Sequence, residues 1–157
     1  MGISPYFAGI RAAVGNELLL IPGASVLPWD AQNRVLLVRN EVDGPWGLLG
    51  GAIEPDESPQ EAAVREALEE VGVQVELTNL RAVLGGPEFR FRYKNGDEVA
   101  YVKILFDASI VAGVPTPDND EVTEAQWFTV EELTTATLDD FALATLRAAA
   151  VLPPSGQ

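Results

Sequence analysis

Apolar positions recur along this chain with two periods. "ELLLI" (17–21) and "GASVLPWD" (23–30) are nearly continuous apolar runs that read as strands interrupted at Pro22-Gly23. "DAQNR" supplies a turn and "VLLVRN" (35–40) a buried strand, so this stretch predicts a strand–turn–strand unit. Pro5 to Val14 reads as a short leading helix. The stretch 41–57, "EVDGPWGLLGGAIEPDE", is rich in Gly, Pro and acids and reads as a long loop, a kind of segment that often carries function. "VQVELTNLRAVLGG" (73–86) predicts one long or broken strand. In "EFRFRYKNGDEVAYVKILFDASIV", Asn95-Gly96 is a two-residue turn between alternating residues, the signature of a hairpin. That register pairs Lys94 with Asp97, Arg92 with Val99 and Arg90 with Tyr101, and it leaves Lys103 near Glu88. A strand over 123–130, a short helix at "EEL" and a helix from Asp139 to Val151 complete the pattern. Mixed strands and helices with a hairpin predict a mixed sheet with helices packed on it.

The helical period is clearest between Pro59 and Val71. Ser58, Pro59 and Glu61 form a capping box with proline at the first helical position, and Gly72 suits the left-handed residue past the end. Val64, Ala67, Leu68 and Val71 share one face, which is expected to pack on the sheet. Glu66, Glu69 and Glu70 then fall on the opposite face as mutual neighbours. Like charges at this spacing repel, and the last helical turn favours cations instead. Two readings remain open at this point: a solvated acidic face, or a site whose cost a divalent cation reverses. Arg65 either makes a surface pair with Glu61 or Glu69, or fixes the preceding loop through a buried pair. In that loop, Gly50 and Gly51 let backbone approach a ligand closely.

Composition narrows the chemistry. The chain has 157 residues, a length suited to one domain with a leading extension (1–16) and a loose tail (152–157). Ten basic and 24 acidic residues give a net charge of −14, which argues against nucleic-acid or anionic-membrane partners. Cysteine and histidine are both absent, which removes thiolate chemistry, the usual general base and the commonest transition-metal ligand. Carboxylates must therefore carry any acid–base or metal chemistry, and an all-oxygen site suits Mg²⁺ or Mn²⁺. The N-terminus has no signal-peptide pattern, and "LLLIPGASVLPW" is too short to span a membrane. A soluble cytoplasmic protein is the expectation.

"GAIEPDESPQEAAVREALEEVGV" (Gly51 to Val73) resembles the Nudix box. Gly51, Glu57, Arg65, Glu66, Glu69, Glu70, Gly72 and Val73 fall in its register, with Ala67 in its first aliphatic slot. "WGLLGG" and "EVTEAQWFTVEEL" resemble the segments before the box and near the end of such domains. The resemblance spans roughly Asn16 to Leu146. It implies an α/β fold of the α+β type, a Nudix-like α/β/α sandwich with a mixed β-sheet. It also implies Mg²⁺- or Mn²⁺-dependent hydrolysis of a nucleoside diphosphate linked to another moiety, such as an NDP-sugar, ADP-ribose or a dNTP. On this pattern Glu66, Glu69, Glu70 and the Gly50 carbonyl resemble the metal ligands. In some members the residue matching Glu66 is the general base, and Glu57 would pair with Arg65. A further carboxylate is expected from a later loop: Glu121 first, with Asp118, Asp120 and Glu88 as alternatives. Leu49 stands where the family usually has proline, and no proposed ligand is lost by that change.

On the substrate side, Arg39 and Trp46 flank the long loop and are candidates for holding phosphate and base. Arg90, Arg92 and Lys94 form a basic strip that either meets an anion or is a charged solvent face. Phe89, Phe91 and Tyr93 read as core. A small nucleotide is the expected partner. A homodimer is compatible with such a fold, although no residue argues for one. The competing function is a catalytically silent nucleotide-binding or regulatory domain. Relatives of that kind often lose box glutamates, and all are present here. An isomerase-type relative lacks its expected cysteine, and no EF-hand spacing supports a generic cation module.

Overall fold

Cap chemistry sets the helices. The computed structural model describes residues 4–156; residues 1–3 and 157, the outer ends of the leading segment and the tail, lie outside them. The Ser4 hydroxyl accepts the Phe7 N–H and opens helix α1 (Pro5–Val14), with Phe7 buried. Arg11 ties α1 down by donating to the carbonyls of Glu17 (2.6 Å) and Glu98 (3.1 Å). Helix α2 (Pro59–Val71) has the expected ends: a reciprocal Ser58–Glu61 capping box and Gly72 at φ 69°.

The strands depart from the sequence reading in three places. β1 (Leu19–Pro28) runs unbroken through Pro22-Gly23. Pro22 lies just beyond the last pair of β1 with β3 (Leu49–Ala52), where its carbonyl accepts the Ile53 N–H at 3.0 Å. Its missing donor therefore interrupts no ladder bond. β2 (Val35–Arg39) touches β1 through a single bridge, Trp29 to Val35, and pairs instead with β7 (Glu124–Phe128). The predicted strand–turn–strand unit thus opens at its first pair. The predicted loop 41–57 contains β3, short and glycine-rich, which pairs antiparallel with β1. Leu49, in the position where the resemblance expects proline, is fully buried in β3.

β4 (Gln74–Leu84) is one strand with three register shifts against β6 (Glu98–Ala112). The hairpin between β5 (Arg90–Arg92) and β6 forms, but its register differs by one residue. Arg90 opposes Ala100, Phe91 opposes Val99 and Arg92 opposes Glu98. The turn closes through Gly96 N–H to Tyr93 O and Tyr93 N–H to Asp97 O, with Gly96 at φ 93°. This is a three-residue loop with a glycine bulge rather than a two-residue turn. Because side chains alternate, the slip moves Lys103 off the Arg90–Arg92 face and onto the face of Phe91 and Tyr101.

The main sheet has the order β3-β1-β6-β4, with β5 beside the first part of β6; β1 and β6 are parallel and the other pairs antiparallel. β2 and β7 form a second, two-stranded sheet. Ala24, Val26, Phe106 and Ala108 pack with the α2 alanines, whereas Leu27 and Leu105 pack with Leu133 and Leu146. The latter two belong to α3 (Val130–Leu133) and α4 (Asp140–Ala148). The result is the expected α/β/α sandwich around a mixed sheet. Val151 and Leu152 are buried in the second cluster, so the exposed tail starts at Pro153 rather than at 152. Among the described residues no helix is long and apolar enough to cross a membrane.

The orientation of α2 is the largest correction. Ala62, Ala63, Glu66, Ala67, Glu70 and Val71 are buried, whereas Val64 and Leu68 are 38% and 51% exposed. The helix presents small residues to the sheet, and two glutamates turn inward with them. The small alanines allow the helix to lie close to the sheet residues Ala24, Val26, Phe106 and Ala108. Glu69 alone of the three acids faces solvent.

Candidate active site

Arg65 organises the mouth of the site. Its Nε donates to Glu57 Oε1 (2.6 Å) and one terminal nitrogen to Glu57 Oε2 (3.0 Å), a forked pair that fixes the loop before α2 against the helix. The same guanidinium reaches the Ala52 carbonyl (3.2 Å), Glu66 (2.9 Å) and Glu69 (3.1 Å). The Arg65 hydrogen bonds hold Glu57 below the usual carboxylate range, and the Glu57 pair raises the arginine in turn. Arg65 combines the two readings: a partly buried pair with Glu57 fixes the preceding loop, and a surface pair with Glu69 forms beside it.

Behind Arg65, Glu66 and Glu70 lie buried side by side. Burial raises the pKa of both, and the neighbouring Glu66 charge raises that of Glu70 further. Arg65 partly offsets the rise at Glu66, and the Gly50 N–H, donating at 3.3 Å, partly offsets that at Glu70. Gly50 itself is held at φ 149°, and a Cβ there would run into the Ala24 carbonyl oxygen and Ser25, so only glycine lets β3 pass this close. Gly51 is buried beside it, opposite Ala24.

A cleft of about 160 Å³ opens beside Glu70, lined by Arg39, Gly47, Gly50, Glu121 and Asp139 among others. The loop carrying Glu121 is shaped by Asp118. Its carboxylate accepts the N–H groups of Asp120, Glu121 and Val122, and its own N–H bonds the Glu70 carbonyl at 3.2 Å. These backbone bonds, that of Val122 first, hold Asp118 below its usual pKa. Of the candidate later carboxylates, Glu121 reaches the cleft, and its charge acts on Glu70. Asp118, Asp120 and Glu88 are exposed.

The substrate-side candidates divide. Arg39 lines the cleft, donates to Glu124 at 2.6 Å and lies 4.6 Å above the Trp46 ring. Its buried Nε has no partner. Trp46 is buried at 8% exposure between Arg39 and the edge of Phe128, so it supports Arg39 and offers no free face for stacking a base. Arg90 pairs with Glu98 at 3.0 Å on an exposed face and does not line the cleft. Phe89 and Phe91 pack on Phe141, but Tyr93 is 49% exposed and bonds Tyr101 through its hydroxyl.

Two residues that sequence reasoning assigned elsewhere belong to this region. Asp139 caps α4, lines the cleft and has its pKa raised by burial. Its sequence signal was the helix-start position alone. Lys103 is buried, and desolvation brings its pKa down to about 8 against the opposing pull of Glu66, Glu70 and Asp139. Its signal was a lone lysine inside the apolar run "VAYVKILF".

Among the described residues no three acidic side chains converge tightly enough to form a ready metal cluster. Arg65 draws Glu66 and Glu69 to one side, while Glu70 is engaged by Gly50 and Glu66. The donor set nonetheless fits a hard divalent cation. It is all oxygen, and burial raises the pKa of its two inward carboxyls, a cost that a bound positive charge would offset.

This geometry, built around a helix with the Nudix-box spacing, defines a class. The chain belongs to the NUDIX domain family, matched over residues 19–148. It is 35% identical over 105 residues to a Bacillus subtilis protein provisionally named 8-oxo-dGTP diphosphatase, covering 67% of this chain and 64% of that one. It is also 35% identical over 103 residues to the NAD-capped RNA hydrolase NudC of Pseudomonas aeruginosa, covering 64% of this chain but 34% of that protein. The chain thus spans less than two thirds of the length of both relatives. A MutT Nudix hydrolase from Burkholderia pseudomallei superposes with a TM-score of 0.67 at 25% identity, over 82% of this chain and 97% of that one. The crystal structure of UDP-X diphosphatase gives 0.69 at 21% identity, over 95% and 69%, a likeness of fold.

Proposed function

We propose that this protein is a divalent-metal-dependent pyrophosphohydrolase that cleaves the diphosphate bond of a nucleoside diphosphate linked to another moiety. The observation that carries the reading is the buried Glu66–Glu70 pair beside a cleft, fixed by Arg65 on one side and Gly50 on the other. Relatives named for 8-oxo-dGTP, NAD-capped RNA and nucleoside triphosphates support the substrate class. Glu66, Glu69, Glu70 and Glu121, with the Gly50 carbonyl, would hold Mg²⁺ or Mn²⁺. That ion supplies neutralisation of the diphosphate charge and activation of water.

The protein's own groups do the rest. Arg65, locked on Glu57, keeps Glu66 oriented; a carboxylate oxygen of Glu66 accepts the proton lost by the attacking water. Arg39, whose side chain lines the cleft, donates to the substrate's phosphate. Gly50 and Gly51 keep β3 narrow enough for the ligand to reach the carboxylates.

A turnover screen with nucleotide sugars, ADP-ribose, dinucleoside polyphosphates and dNTPs, in Mg²⁺ and Mn²⁺, tests this. Release of a nucleoside monophosphate is expected. Glu70→Gln should lower kcat by roughly a hundredfold or more while leaving the folded state intact. Absence of turnover across the panel, with nucleotide still bound, would replace this reading with a non-catalytic binding domain.

A further inference from the structure

Lys103 stands apart from the other basic side chains. It is 7% exposed, and its ammonium makes no hydrogen bond or ion pair with the described residues. The arginines of the site all have carboxylate partners: Arg39 with Glu124, Arg65 with Glu57. Instead Lys103 Nζ lies 4.9 Å from the Phe141 ring centre and 5.5 Å from that of Tyr101. Its other neighbour is Gly23, where an added Cβ would fall 2.8 Å from Nζ. A glycine at that point of β1 leaves the ammonium its space. Glu66, Glu70 and Asp139 act on it through their charges without touching it.

An ammonium has three donors, and one this largely desolvated, with no acceptor from the described residues, is left to water or to an incoming anion. Aromatic faces recover only part of the lost hydration. A group so placed is complementary to an anion that comes from outside. The anion must tolerate three nearby carboxylates, which a phosphoryl group shared with a divalent cation does. We propose that Lys103 Nζ donates to a phosphoryl oxygen of the substrate's diphosphate and so fixes that anion against the Glu66–Glu70 pair. This rests on the diphosphate substrate proposed above. It adds a binding residue from the strand β6, outside the box and outside the exposed Arg90–Arg92 strip.

The competing role is a built-in counter-charge that only tempers the carboxylates. Calorimetric titration of inorganic pyrophosphate into the Mg²⁺-loaded full chain separates the two. A parallel titration of Mg²⁺ alone gives the control. Lys103→Met keeps the stem that packs on the aromatic rings and removes the charge. Lys103→Gln is the second variant, retaining a donor at lower length. Both should keep a cooperative melting transition. Loss of pyrophosphate affinity of roughly tenfold to a hundredfold, with Mg²⁺ affinity changed by no more than about twofold, is expected for the methionine variant. Unchanged pyrophosphate affinity in both variants overturns the proposal. So does a loss of Mg²⁺ affinity equal to the loss for pyrophosphate, and so does a wild-type chain that fails to bind pyrophosphate at all. Lysine-dependent pyrophosphate binding in a chain that hydrolyses no nucleotide upholds this site and rejects catalysis separately.

Discussion

Burial raises the proton affinity of Glu70, and the neighbouring Glu66 charge raises it further. Burial does the same at Glu66. Groups whose pKa is raised by folding bind protons more tightly in the native state. Their contribution to stability is fully present below the ordinary glutamate value of 4.5 and is lost as pH rises through the raised values. Glu57 and Asp118 behave oppositely: their lowered values give stability above the ordinary carboxylate range that is lost only in acid. The metal-free protein should therefore melt at progressively lower temperature from about pH 5 upward, with the inward glutamates and the buried Asp139 setting the slope. A divalent cation held as proposed would favour the deprotonated glutamates, so its stabilising effect should grow with pH over the same window. Thermal melts with EDTA and with Mg²⁺ at several pH values check both signs. Glu70→Gln should flatten the metal-free slope; a slope unchanged in that variant would mean that other groups set it.

At the level of elements, what was legible in the sequence was what local chemistry decides. The ends of α2 follow from Ser58, Glu61 and Gly72, each acting within four residues of itself. What was not legible depends on packing distance. Periodicity favoured the Val64–Leu68 face for the sheet, but the small face of Ala62, Ala63 and Ala67 packs there instead, and Glu66 and Glu70 are carried inward with it. Glu66 and Glu70 were expected on the face opposite the sheet, and that orientation was the error. Lys103 was missed for a related reason. Its face is set by the hairpin register, and one extra loop residue at Gly96 reverses that face. Gly50 and Gly72 make a matched test of this account. Gly72→Ala meets open space at φ 69° and should cost about 1 kcal/mol in a denaturant melt, with activity little changed. Gly50→Ala meets backbone, so β3 must move away from β1 and from Glu70. It should lower activity by a far larger factor than its stability loss explains, and equal effects at the two glycines would refute the close-approach argument.

Over the whole molecule, the cleft draws on segments that lie far apart in sequence: 38–50, Glu70, 121–122 and Asp139. The sheet order places β1 between β3 and β6, and the separate β2–β7 pair brings Arg39 and Glu124 together. No local signal announces such an assembly, which is why Asp139 was read only as a helix start. The same scale sets how substrate arrives. A net charge of −14 repels a nucleotide anion at long range, whereas Arg39, on the cleft wall, acts only at short range. Salt screens charges separated by more than about 10 Å at 0.1 M and weakens buried contacts much less. Screening should therefore remove the repulsion before it weakens the local attraction. At saturating Mg²⁺, kcat/KM should rise by a few-fold as NaCl goes from roughly 20 to roughly 200 mM, with the change in KM and little in kcat. Initial rates with the best substrate from the screen, taken at constant free Mg²⁺, decide the matter. A steady fall with salt would show instead that the Arg39 charge dominates the approach, and that the acidic surface lies electrically behind it.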